Sequence, residues 1–429
     1  MIGTCIYSNV IKLTNNSDLV IIERNNLVLM YNKKIKKHIF QSKEVYGYIK
    51  KASEEGMVVE EFINLFSGED KVYIKNLIEH LISAGIIFIP ELNQAIKKEI
   101  DIKSIHLVTT KKCNLECMHC CSSCSPKEKT ILSIDELKKI VDFCMTLNPS
   151  EIVISGGEPL IRKDFFELVK YITNNYKVRL ILSTNLTLMN EDNIDFIINN
   201  FNRIDVSLDG VDSESCDRIR GKGVFDKIIQ GIKKLQEKGF YNIRTSMIFY
   251  DKNLHLEGKY EDLNKMLGTQ PLKRRFEAVG RGKDNVLEFL HNDDITIGDS
   301  ACKLMDYSNR SECTSCKCEM YMDEILIDHD GRIYPCPELT EDKFSLGNIL
   351  EDETKNRLLN YHNFDSEVKS NLESIYPYNN NRCKNCDVGV FCMTCPGMLN
   401  LVSKNEKDFN KWCGLRKEKL EKLIWEGNY

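Results

Sequence analysis

Apolar residues come in two rhythms along this chain. Near its start, Leu19-Val20-Ile21-Ile22 and Leu27-Val28-Leu29-Met30 are β-rich runs joined across Asn25-Asn26, and this pattern predicts a hairpin. Helical spacing takes over at residues 42–55, 59–66 and 69–84, the last closed by Gly85 as a C-cap. A short apolar run at residues 86–89 then stops at Pro90. A hairpin, three helices and a returning strand describe a winged-helix-like α+β domain over residues 1–95.

From about residue 104 strands and helices alternate. Apolar runs at 105–108, 152–154, 178–182, 204–208, 243–249 and 276–279 are separated by amphipathic segments such as 133–147, 164–176 and 225–238. Six such units predict an α/β domain over residues 96–290, a parallel sheet curled into a partial (β/α)6 barrel of TIM type. Chemistry in that architecture sits on the loops after the strand C-termini. Residues 291–429 are loop-rich with little periodicity, which suggests a region held by metal ligation as much as by a core.

Charge narrows the picture. Lys+Arg 59 against Asp+Glu 64 leaves a formal net of −5, which gives no general attraction to nucleic acid or anionic membrane. The first hundred residues carry nearly equal basic and acidic charge, too neutral for a DNA-binding domain, so Lys33, Lys34, Lys36 and Lys37 read as a solvated turn. No run approaches the ~18 apolar residues that span a bilayer. The N-terminus lacks the pattern of a signal peptide, so a cytoplasmic location is expected.

Cysteine changes the picture most. There are 18, and a reducing compartment favours metal or redox use over disulfides. Cys113, Cys117, Cys120, Cys121 and Cys124 crowd the loop after the first barrel strand, and ten more lie between Cys302 and Cys413. Cys5, Cys144 and Cys216 stand alone and read as small buried apolar residues. Cys113, Cys117 and Cys120 are spaced C-x3-C-x2-C, which fits three irons of a [4Fe–4S] cube; structural zinc, with Cys121 or Cys124 as a fourth ligand, fits the spacing too. The next strands end in Ser155-Gly156-Gly157-Glu158-Pro159, Ser183-Thr184-Asn185 and Ser207-Leu208-Asp209-Gly210, small polar turns around one mouth.

C-x3-C-x2-C after the first strand with Gly-Gly-Glu-Pro after the second resembles the radical S-adenosylmethionine (SAM) family. The resemblance implies that Cys113, Cys117 and Cys120 hold a [4Fe–4S] cluster whose open iron takes the methionyl end of SAM. It implies that Gly156, Gly157, Glu158 and Pro159 receive the amine, that His119 lies against the adenine, and that Ser183, Asn185, Ser207 and Arg220 contact ribose or carboxylate. Arg220 to Asp226 and Gly280-Arg281-Gly282 resemble the peptide-modifying branch, although Cys216 stands where that branch often has His.

Paired C-x2-C motifs downstream would, alone, read equally as a zinc ribbon. Behind such a barrel they resemble the SPASM extension, which implies two auxiliary clusters. The resemblance, carried over by position, implies Cys318, Cys336 and Cys395 on the first, with Cys302, Cys313 or Cys316 completing it, and Cys316 taken as the working choice. Cys383, Cys386, Cys392 and Cys413 fall on the second, with one residue fewer between Cys392 and Cys395 than the family pattern has. The first domain resembles the leader-recognition domain of ribosomal-peptide maturases, which binds peptide as an added strand. The expectation is an enzyme that cleaves SAM to a 5′-deoxyadenosyl radical and cross-links a ribosomal precursor peptide, by a thioether first and a carbon–carbon bond second. A formylglycine-forming sulfatase maturase, a peptide epimerase and a zinc-binding regulator are the alternatives. Expected partners are a precursor peptide with a leader and a reductant such as flavodoxin or ferredoxin. No general base is named.

Overall fold

A computed structural model describes residues 6–15, 17–90, 101–291, 313–318, 320–359, 365–392 and 395–426. Cys5, Cys302 and the first domain limit, at 95/96, lie outside the described residues.

The N-terminal segment folds as three antiparallel strands, β1 (Leu19–Arg24), β2 (Leu27–Asn32) and β3 (Lys37–Ser42), ordered β1-β2-β3. Helices α1 (Lys43–Glu54), α2 (Val59–Asn64) and α3 (Gly68–Ser83) follow. Ser42 caps α1 by accepting from the Val45 amide, and Gly85 leaves α3 at φ 63°. The predicted hairpin forms, with β3 as an addition: its polar ends hide a strand that pairs with β2 along its whole length. The run at 86–89 makes a single bridge, Ile87 to Leu13, instead of a strand.

All of β2 is buried because this small sheet is covered twice. Val28 and Met30 face the helices, with Ile49, Phe62, Ile78 and Leu81. Leu27, Leu29 and Tyr31 face the C-terminal region, with Val388, Val390, Phe391, Ile424 and Trp425. Phe40 stacks on Phe391, with ring centroids 5.9 Å apart, and the Tyr31 hydroxyl donates to the Cys316 carbonyl at 2.9 Å.

The second segment forms strands β4 (Ser104–Val108), β5 (Glu151–Ser155), β6 (Arg179–Thr184), β7 (Arg203–Ser207), β8 (Ile243–Phe249) and β9 (Gln270–Arg275), each parallel to its neighbour in chain order. Helices α4 (Ile134–Thr146), α5 (Phe165–Asn175), α6 (Glu191–Asn200), α7 (Ser213–Arg220), α8 (Val224–Glu237) and α9 (Glu257–Leu267) cross over between them. Sequential parallel pairing aligns every strand C-terminus on one rim of an open, partly wound barrel. The expected sixth strand at 276–279 is not one. The edge strand is the polar Gln-Pro-Leu-Lys-Arg-Arg run before it, while Phe276 and Ala278 turn in to pack with Phe289 and Tyr250. An edge strand exposes one face, so its pattern is weakly apolar and easily missed.

The third segment is not separate from the barrel. Strand β10 (Glu324–Ile327) pairs parallel with β4, and β11 (Arg332–Tyr334) and β12 (Gly347–Asn348) extend the sheet antiparallel, giving nine strands in one sheet. Ile325, Ile327 and Ile333 lie in the same core as Ile105 and Ile152. No helix among the described residues is long and apolar enough to cross a membrane.

Phe391 is fully buried between the N-terminal sheet and the C-terminal region. Phe391→Ala should therefore cost about 3–5 kcal/mol, read as a lower denaturant midpoint. Were the two regions energetically independent, the unfolding transition would split instead of shifting.

Candidate active site

The loop from Cys113 to Cys124 has little regular structure, so its shape comes from what grips it. Gly157 and Glu158 donate their amides to the carbonyls of Thr110 (2.7 Å) and Lys112 (3.0 Å). This zipper needs two glycines: a Cβ on Gly156 or Gly157 would lie 2.6 Å from the Thr110 oxygen or 2.5 Å from that of Lys112. From the other side of the rim, the Arg281 amide donates to the Cys120 carbonyl, and its guanidinium to those of Cys117 (2.8 Å) and Cys124 (2.7 Å). Gly280, at φ 52°, leaves room for that approach, since a Cβ there would meet the Cys121 oxygen at 2.2 Å.

Cys113 and Cys117 are buried and Cys120 is half-buried. Burial pushes the Cys113 thiol up to about 11, whereas hydrogen bonds from the Cys124 thiol and the Cys124 and Ser122 amides draw Cys120 down to about 5. A tetrahedral zinc at ~2.3 Å from sulfur would gather its thiols to ~4 Å of one another. Among the described residues no three thiols lie within 4.8 Å of one another.

Glu158 is fully buried. Its carboxylate accepts from Thr184 Oγ1 (2.8 Å), the Asn185 amide (2.8 Å) and the Leu160 amide (3.2 Å), which binds the end of β6 to the β5 turn. Burial pushes its carboxyl up to about 7 against those bonds. Pro159 opens a 3-10 turn directly after it. Asn185 Nδ2 donates to Asn114 Oδ1 at 2.9 Å and approaches Cys113 Sγ at 3.8 Å. Ser183 and Ser207 sit half-buried near the ends of β6 and β7.

Asp209 joins the remaining two. Its Oδ2 lies 2.6 Å from His119 Nε2 and also accepts from Arg220 Nη2, while Oδ1 accepts from the Ile248 amide at 2.8 Å. Burial works against its charge, but Arg220 and His119 hold its carboxyl well below the usual range. Arg220 Nη1 reaches Cys117 Sγ at 3.9 Å. Sequence reasoning puts Asp209 in the right turn without giving it a role. Cys216, standing where the related branch often has His, is fully buried in the barrel core.

Two further cysteine groups form. Cys316, Cys318, Cys336 and Cys395 come close enough to raise one another's pKa, beyond the larger effect of burial. Cys383, Cys386, Cys392 and Cys413 do likewise. Cys313 instead packs with Leu27, Tyr31 and Phe391. Between the first group and the rim, Arg275 bridges Glu277 (2.8 Å) and Glu338 (3.0 Å), and the two carboxyls also bond each other. Burial and the Glu338 charge push Glu277 up to about 7. Sequence reasoning misses Glu277 because the run that contains it reads as a strand.

The donor set and two orphaned buried atoms, His119 Nδ1 and Arg220 Nε, fit SAM and an iron–sulfur cluster. Comparison with known proteins agrees. The Radical SAM superfamily profile matches residues 107–281, and the SPASM iron-sulfur cluster-binding domain matches residues 318–387. The mycofactocin maturase MftC of Mycolicibacterium smegmatis is 31% identical over 57% of this chain and 66% of its own length, so the match spans just under two thirds of that relative. A probable GTP 3′,8-cyclase of Methanococcus maripaludis is 32% identical over 55% of this chain and 85% of its own. The fold is that of Streptococcus suis SuiB, solved bound to its precursor peptide SuiA: TM-score 0.52, 14% identity, covering 92% of this chain and 97% of SuiB.

Replacing Cys113, Cys117 and Cys120 together with Ala should remove about four irons of roughly twelve and abolish SAM cleavage. Iron analysis and absorbance of the anaerobic protein check this, and loss of all iron would refute three separable groups.

Proposed function

The chain belongs to the radical SAM superfamily with a SPASM extension, and from that premise we propose that it matures a ribosomally made precursor peptide by oxidative cross-linking. The observation that carries the reading is the presence of three cysteine groups with the N-terminal sheet packed against the region that carries two of them. Cys113, Cys117 and Cys120 hold the SAM-binding cluster in this reading. Cys316, Cys318, Cys336 and Cys395 hold the first auxiliary cluster, and Cys383, Cys386, Cys392 and Cys413 the second. MftC, named a maturase, and SuiB, solved with a precursor peptide, support a peptide substrate. A thioether from a cysteine sulfur is the bond we favour, then a carbon–carbon bond. A flavodoxin or ferredoxin supplies the electron, and a cytoplasmic location suits such a donor.

When bound, the cofactors supply a radical that takes one hydrogen atom from the peptide. This chain's residues then have three tasks. The backbone of Gly156–Pro159, with Ser183, Asn185, Ser207, His119 and Arg220, positions SAM at the rim. Residues 1–95 take the leader as an added strand along the outer edge of β3. There, Lys37, His38, Ile39 and Gln41 line a groove together with Leu77, His80 and Ser83 of α3 and Lys317. Glu277, between the rim and the first auxiliary group, accepts the proton that closing the bond releases, and the electron released with it would pass to the cluster held by Cys316, Cys318, Cys336 and Cys395.

Incubated with reductant, SAM and its precursor, the enzyme should form 5′-deoxyadenosine and methionine and make the peptide lighter by about two mass units. One free thiol fewer per link, by alkylation, identifies a thioether. Unchanged mass with solvent deuterium at a Cα would mean epimerisation and end the cross-linking claim.

Glu277 can accept a proton only when ionised, and its carboxyl is pushed up to about 7. Product yield should therefore climb as pH rises through neutrality. Glu277→Gln should flatten that rise and suppress product more than SAM cleavage, as read by mass spectrometry against 5′-deoxyadenosine. Wild-type yield and pH profile in that variant would remove Glu277 from the mechanism.

A further inference from the structure

Asp209 is 2% exposed, and both groups that touch its Oδ2 oxygen end in an unsatisfied buried atom. His119 (6% exposed) spends Nε2 on the carboxylate and leaves Nδ1 without a partner. Arg220 (9% exposed) spends Nη2 on Asp209, brings Nη1 to the Cys117 sulfur, and leaves Nε without one. An orphaned buried polar atom is costly, and two on the partners of one carboxylate point to a ligand that completes them. With Nε2 spent on the carboxylate, Nδ1 is the ring nitrogen left to meet a ligand. The two unsatisfied atoms thus belong to side chains that a single Asp209 oxygen ties together.

We propose that Asp209 is a positioning residue for the SAM site, holding His119 Nδ1 and Arg220 Nε toward bound SAM without touching it. Its other oxygen is fixed by the Ile248 amide, so the carboxylate itself cannot swing. Asp205, on β7, is an internal control. It too is buried and doubly paired, to Arg203 (2.9 Å) and Arg244, but it lies farther down the strand from the cysteine loop.

The test uses the full chain, anaerobically loaded with iron and sulfide, and follows SAM binding by the change it causes in the electron paramagnetic resonance signal of the reduced first cluster. Asp209→Asn should keep wild-type iron content while weakening apparent SAM affinity about tenfold or more and altering the SAM-induced spectrum. Asp205→Asn should lower thermal stability and leave both SAM readouts unchanged. The His119→Ala/Asp209→Asn double variant should bind SAM no more weakly than Asp209→Asn alone, because the two act through one contact. A wild-type SAM response in Asp209→Asn overturns the proposal, as does an equal loss in Asp205→Asn. Should Asp209→Asn fail to retain iron, Asp209→Glu decides: it keeps the charge but displaces the carboxylate, and an unchanged SAM response in it overturns the proposal. None of these readouts involves a peptide, so the result stands apart from the cross-linking reading.

Discussion

Everything at the rim depends on one constraint: a cysteine loop that has no scaffold of its own is clamped by hydrogen bonds to its backbone and its approach from both sides. Thr110 and Lys112 are zipped to Gly157 and Glu158, and the Cys117, Cys120 and Cys124 carbonyls are held by Arg281. Contacts to its main chain fix the loop, so its thiols are not needed to hold it in place. That division suits a metal site, because side chains used to hold the loop could not also serve as ligands. It also explains the glycines at 156, 157 and 280, where close backbone approach excludes a Cβ.

The same economy governs the turn after β5. Glu158 has three donors on its carboxylate and is fully buried, so its side chain locks β5 to β6 and only backbone remains to face a ligand. Asp209 has the matching role in the turn after β7, gathering His119 from the cysteine loop and Arg220 from α7. Two buried carboxylates, neither of them facing solvent, thus fix the turns around the mouth. Low local dielectric strengthens such bonds as long as each is satisfied.

Much of this is legible in the chain, for identifiable reasons. Parallel strands buried on both faces read as continuous apolar runs, so β4 through β8 stand out. Cysteine spacing is a local property and survives without knowledge of the fold. What stays hidden is set by tertiary context. Strand β9 is an edge and polar, so the apolar 276–279 beside it reads as the strand and conceals Glu277. Strand β3 is Lys-His-Ile-Phe-Gln-Ser, and its partner-facing residues declare themselves only once Phe40 meets Phe391 and Trp425. The pairing of Asp209 with His119 spans 90 residues and has no local signature.

The double burial of β2 bears on how the regions communicate. A sheet with helices on one face and the Cys316 segment on the other cannot shift without disturbing one of them. Tyr31 donates to the Cys316 carbonyl, His38 lies 2.9 Å from Ser315, and Lys36 sits over the ring of Tyr376 at 3.7 Å. Lys317, between Cys316 and Cys318, lines the groove beside β3. The groove and the first auxiliary cysteine group therefore share a wall. Protein interiors pack too densely for one side of such a wall to move alone, so a peptide strand entering the groove would press on the same short segment that carries Cys316 and Cys318.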